Sequence, residues 1–168
     1  MFLGIDDVLY PETITNYKKI INNDIDYICG INEFVNLNNI PIKSFGKSAE
    51  WNNLKYYMSP AHVGSLHNKK LFSEIGYFNS KYKICGDYEL LIRKRNKLNH
   101  LFIQSKVAKM KVGGISFSLN AIIESFLIRK KYKTINLILN LFLLIFNIFL
   151  LFKFKYFNFY RYYKWLIL

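Results

Sequence analysis

The chain has 168 residues, of which 52% are hydrophobic and 18% aromatic, and its formal net charge is +13. This length fits one domain, or one domain with a tail, and so apolar a composition excludes an intrinsically disordered chain. The two cysteines, Cys29 and Cys85, are far apart, which excludes a disulfide framework or a cysteine-rich zinc site.

The positive charge is distributed unevenly along the chain. Residues 1–89 contain 9 basic and 10 acidic residues, a net of −1, whereas residues 90–168 contain 15 basic residues and 1 acidic residue, a net of +14. The entire excess therefore lies in the second half. Many of these basic residues flank an apolar segment instead of forming part of a folded binding face, which argues against a nucleic-acid partner.

The first half alternates predicted strands and helices. Residues 1–5 have the pattern of a short buried strand that leads into Asp6 and Asp7, and Pro11 suits the first turn of a helix that ends near Asn23. The later predictions are a strand over 26–35 with a hairpin partner over 40–45, helices over 51–58, 69–75 and 87–97, and a strand over 100–112. This alternation predicts an α/β or mixed α+β fold.

A different kind of segment follows residue 118. Residues 134–152 are 19 consecutive uncharged residues. As a helix they would span about 28 Å, close to the thickness of a bilayer core. Four basic residues precede this stretch, four follow it, and the end of the chain is rich in Tyr, a residue type enriched at membrane interfaces. We therefore predict that residues 119–168 form an amphipathic or transmembrane basic-aromatic tail that binds an anionic membrane surface. The alternative is a helix buried in the protein core, which the remaining globular part is too small to surround.

Three asparagines interrupt this apolar tail. Asn136, Asn140 and Asn147 fall within about 40° of one another around a helix. Such a polar stripe suits either contact between transmembrane helices or the headgroup side of a helix that lies in the membrane plane. Because the basic residues are equal in number on the two sides, peripheral and single-pass arrangements both remain open.

Two carboxylate segments are candidates for chemistry. Asp6 and Asp7 can share a divalent ion through their oxygens, although an Asp-Asp turn before a helix has the same pattern. Asp87 begins a predicted helix, where it is either an N-cap or a base that takes a proton from a hydroxyl. Glu89 and Arg93 are expected to pair on an exposed face of that helix.

Four segments, in this order, resemble the family 2 glycosyltransferases, which have the GT-A fold. They are residues 2–11 around the Asp-Asp pair, His62 followed by residues 71–78, residues 86–93 around Asp87, and residues 113–116 with their glycine pair. The resemblance covers roughly residues 1–118 and implies a partial GT-A domain there. The membrane-associated helices predicted over 119–168 follow this domain.

The resemblance implies a role for each candidate residue. Asp6 and Asp7 would bind Mg²⁺ or Mn²⁺ on the diphosphate of a nucleotide-sugar donor, and Asp87 would be the catalytic base. His62 and Arg93 would contact the acceptor or the diphosphate. The implied reaction is an inverting hexosyl transfer to a glycan or polyprenyl-linked acceptor, in surface polysaccharide synthesis at the cytoplasmic face of the cell membrane.

One departure from the family pattern affects the expected activity. Family members carry a nucleotide-binding half upstream of the Asp-Asp pair, which here occupies residues 6 and 7. We therefore expect a truncated product or one half of a split enzyme, with little or no transferase activity in the isolated chain. The alternative is a catalytically inactive, membrane-bound binding or scaffold module derived from such an enzyme.

Overall fold

A computed structural model describes residues 1–36, 38–111 and 114–166, with no side chains described beyond Lys153. Its strands are β1 (Val8–Leu9), β2 (Tyr27–Val35), β3 (Pro41–Phe45), β4 (Leu66–His67) and β5 (His100–Lys111). Its α-helices are α1 (Thr13–Ile20), α2 (Trp51–Leu54), α3 (Lys69–Ile75), α4 (Gly86–Lys94), α5 (Leu119–Tyr132) and α6 (Leu137–Leu166). The mixed α/β class predicted from the sequence is confirmed.

The strands form one sheet in the order β1-β5-β2-β3, and β4 pairs with the beginning of β2. The two long strands, β2 and β5, run parallel, while β1, β3 and β4 pair antiparallel with their neighbours. Most residues of β2 are buried, as expected for a central strand that is covered on both faces.

Two clusters of buried side chains lie on opposite faces of the sheet. Successive residues of a strand point to opposite faces, so Tyr27 and Cys29 join one cluster and Ile28 joins the other. The larger cluster includes Leu71 of α3 and Ile128 of α5, together with three consecutive apolar residues of α4. Helix α4 is therefore packed deeply, and this packing fixes where its N-terminus points.

The segment before β1 contradicts the prediction of a buried strand over residues 1–5. Ile5 is fully exposed, and strand β1 starts after the acidic pair, not before it. The Asp7 carboxylate accepts a hydrogen bond of 3.0 Å from the amide of Gly4, which turns the chain at this point. Pairing with β5 begins at Val8, which lies opposite Lys109, so this pairing decides where the strand begins.

Most other predicted elements of the first half are confirmed. The strand over 26–35, its hairpin partner and the strand over 100–112 appear as β2, β3 and β5. Helix α3 begins after Asn68, whose side chain accepts from the amide of Lys70, and ends at Gly76 with a φ of 81°. The helices predicted over 11–23 and 51–58 are shorter in the structure, at 8 and 4 residues.

The tail that was predicted from residue 119 contains helices α5 and α6. Ser118 caps α5 by accepting from the amide of Ala121, and Ile128 is fully buried in the larger core cluster. Within the part of the chain that the structure describes, no helix is both long and apolar enough to cross a membrane. Gly113 of the predicted glycine pair, and the side chains of the aromatic residues after Lys153, lie outside the described parts.

Candidate functional site

A cavity of about 860 Å³ lies between the N-terminus of α4 and the loop that precedes β4. Asp87 and His62 line this cavity. Its walls also include five phenylalanines and three lysines: Phe2, Phe34, Phe45, Phe78, Phe117, Lys43, Lys83 and Lys111. A largely apolar cavity with a few convergent polar groups is the usual form of a small-molecule site. We refer to it below as the Asp87 cavity.

Asp87 occupies the first turn of α4. Its Oδ1 accepts a hydrogen bond of 2.8 Å from the amide of Tyr88, and its Oδ2 lies 3.8 Å from Nδ1 of His62. That separation is too long for a direct hydrogen bond. One oxygen of the carboxylate is therefore fixed by the backbone, while the other lies near His62 without bonding to it.

The loop that carries His62 is tied down at several points. The hydroxyl of Ser65 donates to the carbonyl of His62 over 2.6 Å, and the side chain of Asn32 donates to the carbonyl of Val63 over 2.9 Å. Gly64 has a φ of 74°, and a Cβ there would lie 2.7 Å from the side chain of Val107. Only glycine suits this position, so the sequence holds His62 in a defined place.

Two histidines lie close together in this region, and both are kept neutral. Burial lowers the pKa of His62, against the opposing effect of the Asp87 carboxylate, and burial lowers the pKa of His67 to about 3. Nδ1 of His62 and both ring nitrogens of His67 are buried without a hydrogen-bond partner among the described residues. His62 therefore lines the Asp87 cavity with a neutral ring whose Nδ1 is itself buried.

Glu124, on α5, holds the backbone immediately before Asp87. One of its carboxylate oxygens accepts from the amide of Lys83 at 3.0 Å, and the other accepts from the amides of Ile84 and Cys85 at 2.9 and 2.8 Å. These groups lie at the start of α4, where a carboxylate is favoured by the helix dipole. No local pattern predicts this role of Glu124; its only signal in the sequence is that it is the one acidic residue among residues 90–168.

Replacing Glu124 by alanine is expected to lower the free energy of unfolding by about 2 kcal/mol, because three amides lose a charged acceptor. Urea denaturation followed by circular dichroism measures the change. The matched variant Glu124→Gln keeps one carbonyl oxygen as an acceptor and should lose less. Equal, negligible losses in both variants would show that this contact does not stabilise the start of α4.

Arg93 does not line the Asp87 cavity, and it belongs to a buried network around Glu89. Its Nε donates to Glu89 over 3.0 Å, and its Nη1 donates to the carbonyls of Ile75 and Tyr77, each over 2.8 Å. The predicted Glu89–Arg93 pair is confirmed. Its predicted location on an exposed face is wrong, because Glu89 is fully buried. A role of Arg93 in substrate binding stays a prediction.

Asp6 and Asp7 also lie outside the lining of the Asp87 cavity. Burial raises the pKa of Asp7, the amide of Gly4 opposes this, and the neighbouring charge of Asp6 adds to the rise. Among the described residues, no group of three or more His, Cys, Asp or Glu side chains is arranged to hold a metal ion. Magnesium is often bound by one or two carboxylates plus substrate phosphates, so this pair fits an ion that is shared with a diphosphate.

The structure thus brings together two of the five predicted site residues, Asp87 and His62. No protein-family model and no curated protein matches this chain. The function must therefore be inferred from the residues of the cavity and from the chemistry available to them.

Proposed function

We propose that this chain is the acceptor-binding part of a GT-A-like glycosyltransferase, which transfers a sugar from a nucleotide-diphosphate sugar to an acceptor hydroxyl. The observation that carries the proposal is a carboxylate at a helix N-terminus, beside a neutral histidine, in a cavity with aromatic walls. Sugar rings have apolar faces that pack on aromatic side chains, while their hydroxyls need a small number of polar partners.

In the proposed reaction, Asp87 takes the proton of the acceptor hydroxyl as its oxygen attacks the anomeric carbon of the donor sugar. The bond from that carbon to the nucleoside diphosphate breaks, and the configuration at the carbon inverts. The side chain of Asp87 is 23% exposed, so an acceptor can reach it from the cavity. His62, which lines the same cavity, would contact the acceptor beside Asp87.

A divalent ion on the donor diphosphate fits the same proposal. Asp6 and Asp7 would hold Mg²⁺ or Mn²⁺ together with the phosphates, and the ion would offset the negative charge that builds up on the leaving diphosphate. Because Asp6 is exposed, its carboxylate is accessible to such an ion.

The acceptor class is suggested by a second, apolar cavity that adjoins the first. This groove, of about 590 Å³, lies between the start of α5 and helix α6 and shares Ser116 and Phe117 with the Asp87 cavity. Ile122, Leu150 and Leu151 make it apolar. A groove of this kind favours a lipid-linked acceptor, whose chain occupies the groove while its sugar hydroxyl reaches Asp87, over a free glycan.

The test is to replace Asp87 by asparagine in the chromosomal gene, so that any other polypeptide the enzyme needs is present. Membranes from these cells, given labelled nucleotide sugars, should incorporate at least about 100-fold less sugar, since general base catalysis contributes about 10²–10⁴-fold. The wild-type label should extract into organic solvent, as a lipid-linked product does. Label found only in water-soluble polymer would contradict the acceptor assignment.

The matched control is Asp24→Asn, the same change at an exposed aspartate outside the cavity lining. It should leave incorporation unchanged, and immunoblots should show equal amounts of all three proteins in the membranes. Equal rates for Asp87→Asn and wild type would remove Asp87 from the role of base.

A catalytically inactive binding module is the second candidate. It is favoured by the positions of Asp6, Asp7 and Arg93, none of which lines the cavity that contains Asp87. Such a module would bind sugar in the cavity without turnover. Deleting the gene would then impair sugar incorporation, whereas the Asp87→Asn variant would not.

A further inference from the structure

Helix α6 directs its apolar side chains outward, away from the protein. Five large apolar side chains of this helix are between 60% and 83% exposed, and they are spaced alternately four and three residues apart along the sequence: Ile138, Phe142, Ile145, Phe149 and Phe152. Leu137, Leu141, Phe146 and Leu150 flank this row and are also exposed. Together these nine residues form what we call the outward face of α6.

The two asparagines in the described part of α6, Asn140 and Asn147, lie on the opposite side of the helix, whereas Asn136, just before the helix, is exposed. Asn140 is 1% exposed, and its amide oxygen accepts from Nε of Arg129 over 2.7 Å while its amide nitrogen donates to the carbonyl of Phe126 over 3.1 Å. Asn147 is half-buried and lines the groove beside α5. A surface helix in water normally has the opposite arrangement, with its apolar stripe toward the core.

A contiguous apolar face of this size marks a surface that contacts another apolar phase. The charges near it favour lipid over protein. Lys130, Lys133 and Lys153 are exposed near the two ends of the described apolar stretch, and the second half of the chain is strongly basic. A second copy would bring two such basic surfaces together, whereas anionic lipid headgroups complement them.

The positions beside the outward row also argue against pairing of two α6 helices. Helices that pair through a row of this spacing usually carry opposite charges at the flanking positions. Here the flanking residues between 137 and 150 are uncharged, including Leu141 and Phe146. A helix with one exposed apolar face, and with its other side packed on the protein, is instead the arrangement expected of a helix that lies in a membrane interface.

We infer that the outward face of α6 lies in the boundary between headgroups and acyl chains of an anionic bilayer, with the helix axis parallel to the membrane plane. The helix is parallel because its other side packs along α5 and is held there by Asn140. Only one side of α6 is therefore open to lipid. Apart from Leu150, which also lines the groove beside α5, this surface is separate from the proposed sugar-transfer site, and it can be tested without a substrate.

The first test is binding of the purified full chain to vesicles of phosphatidylcholine with about 30% phosphatidylglycerol. The double variant Ile145→Gln/Phe149→Gln should bind at least tenfold more weakly, because two apolar side chains no longer enter the bilayer. The control is Ile21→Gln/Ile42→Gln, at the end of α1 and in β3. These two isoleucines are about as exposed as Ile145 and Phe149, and this variant should bind as wild type does. Binding should also weaken as salt increases.

The second test measures depth. In the triple variant Ile145→Trp/Trp51→Phe/Trp165→Phe, the tryptophan fluorescence should be quenched more by lipids brominated near the headgroup than by lipids brominated near the chain end. Stronger quenching by the deep label would show a crossing helix and overturn the parallel arrangement.

Two further outcomes would overturn the inference. One is equal vesicle binding by the outward-face variant and wild type. The other is that the wild-type chain does not bind vesicles but forms a dimer in light scattering, and that Ile145→Gln/Phe149→Gln abolishes this dimer while the control variant keeps it. That result would assign the face to a second copy of the chain.

Discussion

Replacing Glu89 by alanine is expected to lower the free energy of unfolding by about 3–5 kcal/mol, the usual cost of removing one partner from a buried ion pair. Glu89 is fully buried in α4 and accepts hydrogen bonds from Arg93, Lys131 and the hydroxyl of Tyr132. Without it, the Arg93 guanidinium loses its anionic partner in a half-buried site. Urea denaturation at neutral pH measures the loss.

The stability of this network should depend on pH in a defined direction. Burial acts to raise the pKa of Glu89, but hydrogen bonds from Arg93, Tyr132 and Lys131 outweigh it and hold the pKa below its usual 4.5. The folded pKa is lower than the unfolded one, so the ionised carboxylate stabilises the fold above about pH 4.5. That contribution is lost as the pH falls through the folded pKa.

The comparison variant for Glu89→Ala is Glu74→Ala, the same change at an exposed carboxylate that pairs with Lys70 and Lys94. Glu74 is exposed, and Lys94 keeps its ion pair with Asp26 at 3.2 Å when Glu74 is removed, so this variant should unfold close to wild type. On lowering the pH from 7 to 3, wild type should lose more stability than Glu89→Ala does. Parallel pH curves for the two proteins would contradict the assigned role of the Glu89 carboxylate.

Replacing Asn140 by leucine is expected to lower the free energy of unfolding by about 3 kcal/mol, although leucine is the better helix former and the more apolar residue. The buried guanidinium of Arg129 would lose its 2.7 Å acceptor, and the carbonyl of Phe126 would lose a donor. A charged donor left unsatisfied in the interior costs more than leucine gains by burial.

Asn147→Leu is the matched control for Asn140→Leu. The Asn147 amide donates to the carbonyl of Leu143 in its own helix over 2.7 Å, so this change leaves no buried charge without a partner. It should alter stability by less than about 1 kcal/mol. If Asn140→Leu were neutral or stabilising, Asn140 would face solvent or lipid instead of Arg129, and the inward orientation of the polar stripe would be wrong.

The elements that could be predicted from sequence have local signals. Strand β2 combines aromatic and β-branched residues, and its hairpin partner β3 follows an Asn-rich turn. Helix α3 has both a side-chain cap at Asn68 and a glycine stop at Gly76. Asp87 and His62 are singled out in the sequence by a resemblance in order and spacing, and both line one cavity, while their catalytic and binding roles stay predictions.

The parts that could not be predicted depend on contacts between distant segments. The hydrogen bond between Tyr132 and Glu89 joins residues 43 positions apart in the sequence, and the bond between Cys85 and Glu124 joins residues 39 positions apart. A glutamate on a helix is expected to be exposed, because it is almost never fully buried without a partner. The local sequence does not show which distant residue that partner is. The short strand β1 likewise depends on where β5 offers a partner, which no local pattern in residues 1–9 reveals.

The sequence by itself determined the alternation of strands and helices, the carboxylate at the start of α4, and the uneven charge that places +14 in residues 90–168. It also showed that α6 has one polar stripe. Only the tertiary structure decided which way that stripe points, and which acidic residues support Asp87 instead of joining it in the cavity. The reason is physical: local propensity and periodicity act within a segment, whereas burial of a charge is decided by the partners that distant segments bring to it.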